Sequence, residues 1–145
     1  MKQVSTKELY HEIKNATDVE DFLVRNHSHM LHVTLSEHLQ MLLSQKNLSR
    51  AEVVRGSQLD RSYVYQIFSG EKTPSRDKLL ALSFGLRLTD QETQKMLKLS
   101  GNRELYARDE RDALILYAIQ HGQTIMQANE LLFRHNLALL GIPKA

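Results

Sequence analysis

Apolar residues recur along the chain at the three- and four-residue spacing of amphipathic helices, and no stretch alternates in the manner of a β-strand. Successive groups begin with Leu9, Tyr10 and Ile13, then Val19, Phe22 and Leu23, then Leu39, Leu42 and Leu43. Similar groups continue to the last third of the sequence. The pattern therefore predicts an all-α protein.

Most of these stretches begin at a Ser/Thr-x-x-Glu/Gln signature, in which two side chains satisfy the free amides of a helix start. The six pairs are Ser5/Glu8, Thr17/Glu20, Thr34/Glu37, Ser49/Glu52, Thr89/Glu92 and Thr124/Gln127. Two more helices are predicted to start after Pro74-Ser75 and after Asp109. Three glycines follow apolar stretches, where a left-handed residue commonly ends a helix: Gly85, Gly101 and Gly122.

The chain also contains an internal repeat with an offset of 35 residues. Residues 76–80, Arg-Asp-Lys-Leu-Leu, align without gaps with residues 111–115, Arg-Asp-Ala-Leu-Ile, and Thr89 then aligns with Thr124. We interpret the two copies as successive helical hairpins that stack on one another. Any two amphipathic hairpins of similar length look alike, so a chance similarity stays open as the alternative.

Composition narrows the class of protein. The chain has 145 residues, 41% hydrophobic and 25% charged, which fits one domain or a small domain with helical additions. The absence of cysteine excludes a disulfide scaffold. No apolar run is long enough to span a bilayer and no secretory signal is visible, so we expect a soluble, cytoplasmic protein without a membrane partner.

Residues 47–78 hold six Lys/Arg against four Asp/Glu, which suits a modest phosphate-contacting surface.

Residues 48–74 carry the most specific functional signal. A short capped helix over 48–55 and a tight turn over 56–58 precede a second short helix at about 60–69, which ends at Gly70. The apolar face of the second helix holds Val64, Ile67 and Phe68. Its opposite, polar face holds Arg61, Ser62, Tyr65, Gln66 and Ser69. A short helix held by its apolar face, with polar side chains outside, is what the major groove of DNA admits.

Residues 34–86 resemble the helix-turn-helix of the Cro/CI-type repressors, the XRE family. The resemblance rests on Leu48-Ser49, Ser62-Tyr63-Val64, Ile67, Gly70, Pro74-Ser75, Leu79-Leu80, Leu82 and Leu86. It implies a repressor-like five-helix DNA-binding domain that is usually dimeric on a palindromic operator. We therefore expect an N-terminal helical segment at 1–33, a helix-turn-helix domain at 34–100, and a C-terminal helical hairpin at 101–145 packed on that domain or extending it.

The same resemblance assigns roles to individual residues. It places Arg61, Ser62, Tyr65 and Gln66 at or beside base-reading positions. It places Ser49, Arg50, Ser69, Lys72, Thr73 and Arg76 at positions that contact the DNA backbone. Arginine donates two hydrogen bonds to guanine and glutamine pairs with adenine, which makes these residue types suitable base readers. The family usually has glycine where this chain has Gln58, so we expect a slightly altered turn.

Two functions follow from these observations. The first is a sequence-specific, repressor-like transcriptional regulator that binds double-stranded DNA as a homodimer. The alternative is a protein-interaction adaptor, in which the helix-turn-helix is a scaffold and the C-terminal hairpins bind a protein partner. No catalytic motif or cofactor signature is present, so we expect neither an enzyme nor a cofactor. The one candidate metal constellation is His27, His29, His32 and His38, which lacks cysteine and has few nearby carboxylates, so we expect no metal site.

Overall fold

A computed structural model describes residues 5–26 and 33–141. Within these ranges the chain forms nine α-helices and no strand, which confirms the all-α prediction. The chain divides into two compact units, Met1–Val33 and Thr34–Ala145. The helices are α1 Thr6–Asn15, α2 Val19–Arg25, α3 Leu35–Gln45, α4 Arg50–Ser57, α5 Arg61–Ser69, α6 Arg76–Gly85, α7 Asp90–Leu99, α8 Glu110–Gln120 and α9 Ile125–Arg134.

The first unit is described for α1 and α2. The Asn26 side chain ends α2 by donating one hydrogen bond to the Phe22 carbonyl and another, of 3.0 Å, to Glu12 of α1. Arg25 pairs with the same Glu12 at 3.4 Å. Polar contacts at one end therefore tie the two helices together.

Side-chain caps begin all nine described helices, and most of them are the predicted ones. Ser5, Thr34, Ser49, Thr89 and Thr124 each accept a backbone hydrogen bond as expected, and so do Ser75 and Asp109. The prediction for α2 is wrong by one residue, because its cap is Asp18 rather than Thr17. The carboxylate of Asp18 accepts the Glu20 amide hydrogen at 3.0 Å, and a carboxylate reaches the second amide of a helix as readily as a hydroxyl reaches the third.

Helix α6 supplies the centre of the hydrophobic core in the second unit. All residues from Leu79 to Leu86 are buried, whereas the neighbouring helices each bury one face. The same core cluster contains Val53 of α4, Phe68 of α5, Met96 of α7 and Ile115 of α8. Because residues 79–86 are enclosed on every side, this part of α6 lacks the polar face that marks an amphipathic surface helix in the sequence.

The prediction that Gly85 is a left-handed helix stop is wrong, because this glycine lies where α4 packs closely on α6. This glycine lies in the last turn of α6, and Arg87 takes the left-handed position with φ 54°. A Cβ atom at Gly85 would lie 2.6 Å from the Val53 carbonyl oxygen, so the residue is small because two helix backbones meet there. The predicted left-handed stops at Gly101 (φ 76°) and Gly122 (φ 63°) are confirmed.

The stacking of two helical hairpins, α6–α7 and α8–α9, is also confirmed. Arg76 of the first hairpin donates two hydrogen bonds, of 3.2 and 2.9 Å, to Asp112 of the second. Arg111 of the second hairpin donates two, of 2.9 and 3.1 Å, to Asp77 of the first. The aligned Arg-Asp pairs of the repeat thus bind each other reciprocally.

The repeat extends to the segment after each hairpin. The Gln94 side-chain amide exchanges hydrogen bonds of 2.9 and 2.7 Å with the backbone of Leu105. At the same offset of 35 residues, the Asn129 amide exchanges bonds of 2.8 and 2.7 Å with the backbone of Leu140. A similarity of this detail in both hydrogen bonds and helix bounds is not expected of two unrelated hairpins.

Candidate nucleic-acid interface

The turn between α4 and α5 is built around a left-handed glutamine. Gln58 has φ 58° and ψ 23°, the conformation for which glycine is usually chosen. Leu59 next to it is buried, and its amide donates to the Ser57 hydroxyl at 3.3 Å. Asp60 then caps α5 by accepting the Tyr63 amide hydrogen at 3.1 Å. The buried leucine and the cap hold the angle between the two helices despite the strain at Gln58.

Helix α5 divides into a buried face and an outer face in the way the sequence predicts. Val64, Ile67 and Phe68 are at most 1% exposed. Arg61, Ser62 and Ser69 are exposed, Tyr65 is 39% exposed, and Gln66 is half-buried. The four predicted base readers therefore share one solvent-facing surface, which we call the α5 outer face (Arg61, Ser62, Tyr65, Gln66).

Two side chains of α3 anchor the end of α5, and the sequence analysis did not identify them. The Phe68 carbonyl oxygen accepts hydrogen bonds from the Ser36 hydroxyl at 2.6 Å and from the Gln40 amide at 2.8 Å. These two residues lie four positions apart on one face of α3, and that spacing was the available signal. Their bonds satisfy a carbonyl that has no partner within its own helix.

The aromatic ring of Tyr65 brings two predicted DNA contacts together. The Arg61 guanidinium carbon lies 5.4 Å from the centre of the Tyr65 ring, and that of Arg50 lies 5.9 Å from it. Arg50 also lies 5.8 Å from the ring centre of Phe68. Neither arginine has a carboxylate within 4 Å in the part of the chain that the structure describes. One unneutralised positive charge, that of Arg61, therefore lies on the α5 outer face, and a second, that of Arg50, lies beside it.

The loop after α5 presents Lys72 and Thr73. The Gln66 carbonyl oxygen accepts the Lys72 amide hydrogen at 3.1 Å and the Ser69 hydroxyl hydrogen at 3.0 Å, which folds the loop back onto the helix. Lys72 and Thr73 are exposed, and they border a shallow cleft of about 160 Å³ with Thr34 at the start of α3. The exposed Glu71 between the helix and Lys72 lowers the positive charge of the loop.

Ser49 takes part in a complete capping box at the start of α4. Its hydroxyl accepts the Glu52 amide hydrogen at 3.1 Å, and the Glu52 carboxylate accepts hydrogen bonds from the Ser49 amide and hydroxyl. These bonds hold the pKa of Glu52 below its ordinary value. Ser49 is exposed at a helix N-terminus, but its hydroxyl is already engaged within the protein.

Arg76 does not join these residues. Its guanidinium donates to Asp112 and to the carbonyl oxygens of Arg103 and Glu104, at 2.8 and 3.1 Å, and its side chain is 18% exposed. Burial raises the pKa of Asp112, but the hydrogen bonds from Arg76 and the Tyr106 amide outweigh it, and the pKa lies below its ordinary value. Arg76 thus links the two hairpins, and its N–H groups are committed there instead of to a DNA backbone.

The histidine cluster is described for one member. His27, His29 and His32 lie outside the described residues, while His38 is buried in α3. Burial, followed by the positive charge of Lys95, lowers the pKa of His38, and the negative charge of Glu92 acts in the opposite direction. Over the described ranges no three His, Cys, Asp or Glu side chains are arranged to hold a metal ion.

Comparisons with protein-family models, with curated proteins and with solved structures give no match to this chain. Among the described helices, none has the length and apolar character needed to cross a membrane. The arrangement of α4, α5 and the loop after α5 is therefore the basis for a functional inference.

Proposed function

We propose that this protein is a sequence-specific DNA-binding regulator that places the α5 outer face in the major groove. The observation that carries the proposal is the exposed polar face of a nine-residue helix, which includes the unneutralised guanidinium group of Arg61 and has that of Arg50 beside it. An α-helix with its side chains is about 10–12 Å across, which suits the width of about 12 Å of a B-DNA major groove. The α4–α5 pair has the form of a helix-turn-helix.

Base recognition is assigned to Arg61 and Gln66, with Ser62 and Tyr65 beside them. Arg61 rests on Tyr65 in the free protein, so it leaves a cation–π contact worth about 0.5–1 kcal/mol to reach a guanine. A bidentate contact discriminates by about 1–3 kcal/mol, which exceeds that cost. The exchange is therefore favourable for Arg61 as a reader of guanine.

Backbone contacts are assigned to Arg50, Lys72 and Thr73, whereas the hydroxyl hydrogens of Ser49 and Ser69 are already donated within the protein. Arg50 stands at the first position of α4, where the positive end of the helix dipole also attracts phosphate. Lys72 and Thr73 lie beside the start of α3, which adds a second helix N-terminus. Arg76 is omitted, because its hydrogen bonds are made within the protein.

Two copies bound to an inverted repeat would place their α5 helices in successive major grooves, about 34–36 Å apart. The test is selection of duplexes from a random pool, followed by titration of the enriched duplex and of a random duplex at several salt concentrations. A solution mass of the complex gives the number of copies bound.

Point variants distinguish the residues assigned to base recognition from those assigned to DNA backbone contacts. Gln66→Ala and Arg61→Ala should reduce the preference for the selected duplex about 10-fold while weakening random duplex little. Arg50→Ala and Lys72→Ala should weaken both duplexes alike and each reduce the salt slope by about 1. Arg108→Ala, an exposed arginine of the α7–α8 loop, is the matched control. Equal loss on both duplexes for the first pair, or no enriched sequence in the pool, would contradict the proposal.

A second candidate function, a protein-interaction adaptor, is favoured by the surface of α9. Met126 and Phe133 are 66% and 71% exposed on one face of this helix. Their counterparts in the first hairpin are the polar residues Gln91 and Lys98, so the repeat does not require apolar side chains there. A stable protein partner that is lost with Phe133→Ser, together with failure to shift any duplex at low salt, would favour the adaptor over the regulator.

A further inference from the structure

A cleft of about 390 Å³ opens between α4, the end of α6 and the turn between α8 and α9. Its lining includes Arg55 of α4, Phe84 and Arg87 near the end of α6, and Gln123. A smaller cleft of about 170 Å³ shares Phe84, Arg87 and Gln123. The volume falls in the range of small-molecule sites, and no residue of the α5 outer face lines either cleft.

Two arginines give the cleft a positive character. Within residues 5–26 and 33–141, neither Arg55 nor Arg87 pairs with a carboxylate. Both lie close enough to Glu52 to contribute to the lowering of its pKa, after the larger effect of its hydrogen bonds with Ser49. Glu52 is the acidic group of the lining, and its carboxylate is held by that capping box. The lining of the cleft therefore carries two guanidinium groups without an ion-pair partner.

The backbone at Arg87 is unusual in a way that the internal repeat makes visible. Arg87 has φ 54°, a conformation that side-chain-bearing residues rarely adopt. The aligned residue in the second hairpin is Gly122, which has φ 63°. Each hairpin thus needs a left-handed residue at this point, and the first uses arginine where the second uses glycine. Glycine meets this backbone requirement without strain, so the turn itself does not need the arginine side chain.

One residue of the cleft lining, Gln123, has a buried hydrogen-bond acceptor. The Gln123 side-chain oxygen is inaccessible to solvent and has no hydrogen-bond partner in the described structure. A buried polar atom without a partner is costly, and a ligand that donates a hydrogen bond would satisfy it. Thr124, which also lines the cleft, caps α9, a helix of ten residues, so the positive end of its dipole is close by.

We propose that this cleft binds a small phosphate-bearing ligand with the chemistry of a nucleoside monophosphate. Arg55 and Arg87 hold the phosphate, whose two negative charges match two guanidinium groups, and the α9 N-terminus adds to the attraction. The Gln123 oxygen is enclosed in the free protein, so its side chain turns toward the cleft to accept a hydrogen bond from an N–H group at the other end of the ligand. The site does not depend on DNA binding, and it is tested in the absence of DNA.

The experiment is a calorimetric titration of the full chain with three probes: adenosine 5′-monophosphate, inorganic phosphate and adenosine. Adenosine 5′-monophosphate is expected to bind at one site per chain, at least about 10-fold more tightly than either fragment, because only the whole molecule reaches both ends of the cleft. In an NMR titration, the side-chain amide resonance of Gln123 should shift with adenosine 5′-monophosphate.

Three variants test the assigned contacts. Arg87→Gly introduces the residue that the second hairpin already has at this position, so the fold is retained while binding falls about 10-fold or more. Arg55→Gln and Gln123→Leu should each weaken binding by a similar factor. Arg108→Gln removes an arginine elsewhere on the same unit and is expected to leave binding unchanged.

Each alternative outcome overturns a defined part of the proposal. Phosphate that binds as tightly as adenosine 5′-monophosphate removes the role of Gln123, and adenosine that binds equally well removes the role of the arginines. Absence of binding by all three probes, or binding that Arg87→Gly and Arg55→Gln leave unchanged, overturns the site itself. None of these results bears on whether the α5 outer face binds DNA.

Discussion

The reciprocal Arg–Asp pairs provide a comparison in which geometry is nearly constant and burial differs. Both pairs are bidentate, with hydrogen bonds of 2.9–3.2 Å. The Asp112 side chain is 2% exposed and its partner Arg76 18%, whereas the Asp77 side chain is 47% exposed and its partner Arg111 19%. We predict that Asp112→Asn is much more destabilising than Asp77→Asn.

The expected magnitudes follow from this difference in burial. Asp112→Asn leaves the Arg76 guanidinium largely enclosed without a counter-charge, and breaking a buried pair in this way costs about 3–5 kcal/mol. Asparagine keeps the shape and one acceptor, so we expect the lower end, about 3 kcal/mol. Asp77→Asn breaks a pair that water screens, at a cost of about 1 kcal/mol or less. The corresponding losses in melting temperature are roughly 12 °C and 4 °C.

Urea denaturation at pH 7 measures both variants, with the midpoint compared at an unchanged slope. The pH dependence is a second readout. Because the folded pKa of Asp112 is below its ordinary value, its contribution is complete above the unfolded pKa of about 3.9 and is lost as the pH falls through the lower folded value. The difference between the native chain and Asp112→Asn should therefore shrink below about pH 4. Equal destabilisation by the two variants would refute the reasoning.

Three further predictions concern backbone contacts and burial. Gly85→Ala should destabilise the protein by about 2 kcal/mol or more, because the added Cβ would lie 2.6 Å from a carbonyl oxygen. Gly101→Ala should cost only the left-handed strain of about 1 kcal/mol, because its Cβ would meet nothing within 4 Å. Thermal melts in which Gly101→Ala is the less stable variant would contradict this. Gln58→Gly should raise the free energy of unfolding by up to about 1 kcal/mol, and a urea midpoint below that of the native chain would show that its left-handed backbone is not strained. The pKa of His38 is lowered in the folded protein, so the contribution of its neutral form to the free energy of unfolding should be complete above pH 6.5. This contribution should be lost as the pH falls through the folded pKa. In melts over a pH series, His38→Gln should remove this part of the decline in stability.

The local structure of this protein was largely readable from the sequence. Periodicity and capping signatures predict helices whose starts agree with the structure at nearly every position, with one cap displaced from Thr17 to Asp18. These features act within a few residues of one another, so the neighbouring residues alone determine them. The α5 outer face belongs to the same class, because one helix turn decides which side chains share a face.

The contacts within the internal repeat could be predicted from the sequence only in part. Alignment of Arg76-Asp77 with Arg111-Asp112 predicts that two hairpins stack, but not that each arginine binds the other copy's aspartate. The resemblance to the XRE family placed Arg76 at a DNA backbone position, and the sequence held no signal for the hydrogen bonds that Arg76 makes with Asp112. Whether an arginine is free for a ligand depends on which carboxylates the fold brings near it.

Tertiary contacts alone decided the remaining features. Gly85 has the sequence context of a helix stop, yet it is small because α4 crosses α6 there. Ser36 and Gln40 anchor α5 from 28 or more positions away, and Gln123, whose side-chain oxygen is buried, lines a cleft formed by distant segments. Helix signals depend on neighbours along the chain. Close approach of backbones, burial and unpaired hydrogen-bonding groups depend on residues that meet only after folding, and no local sequence pattern encodes those contacts.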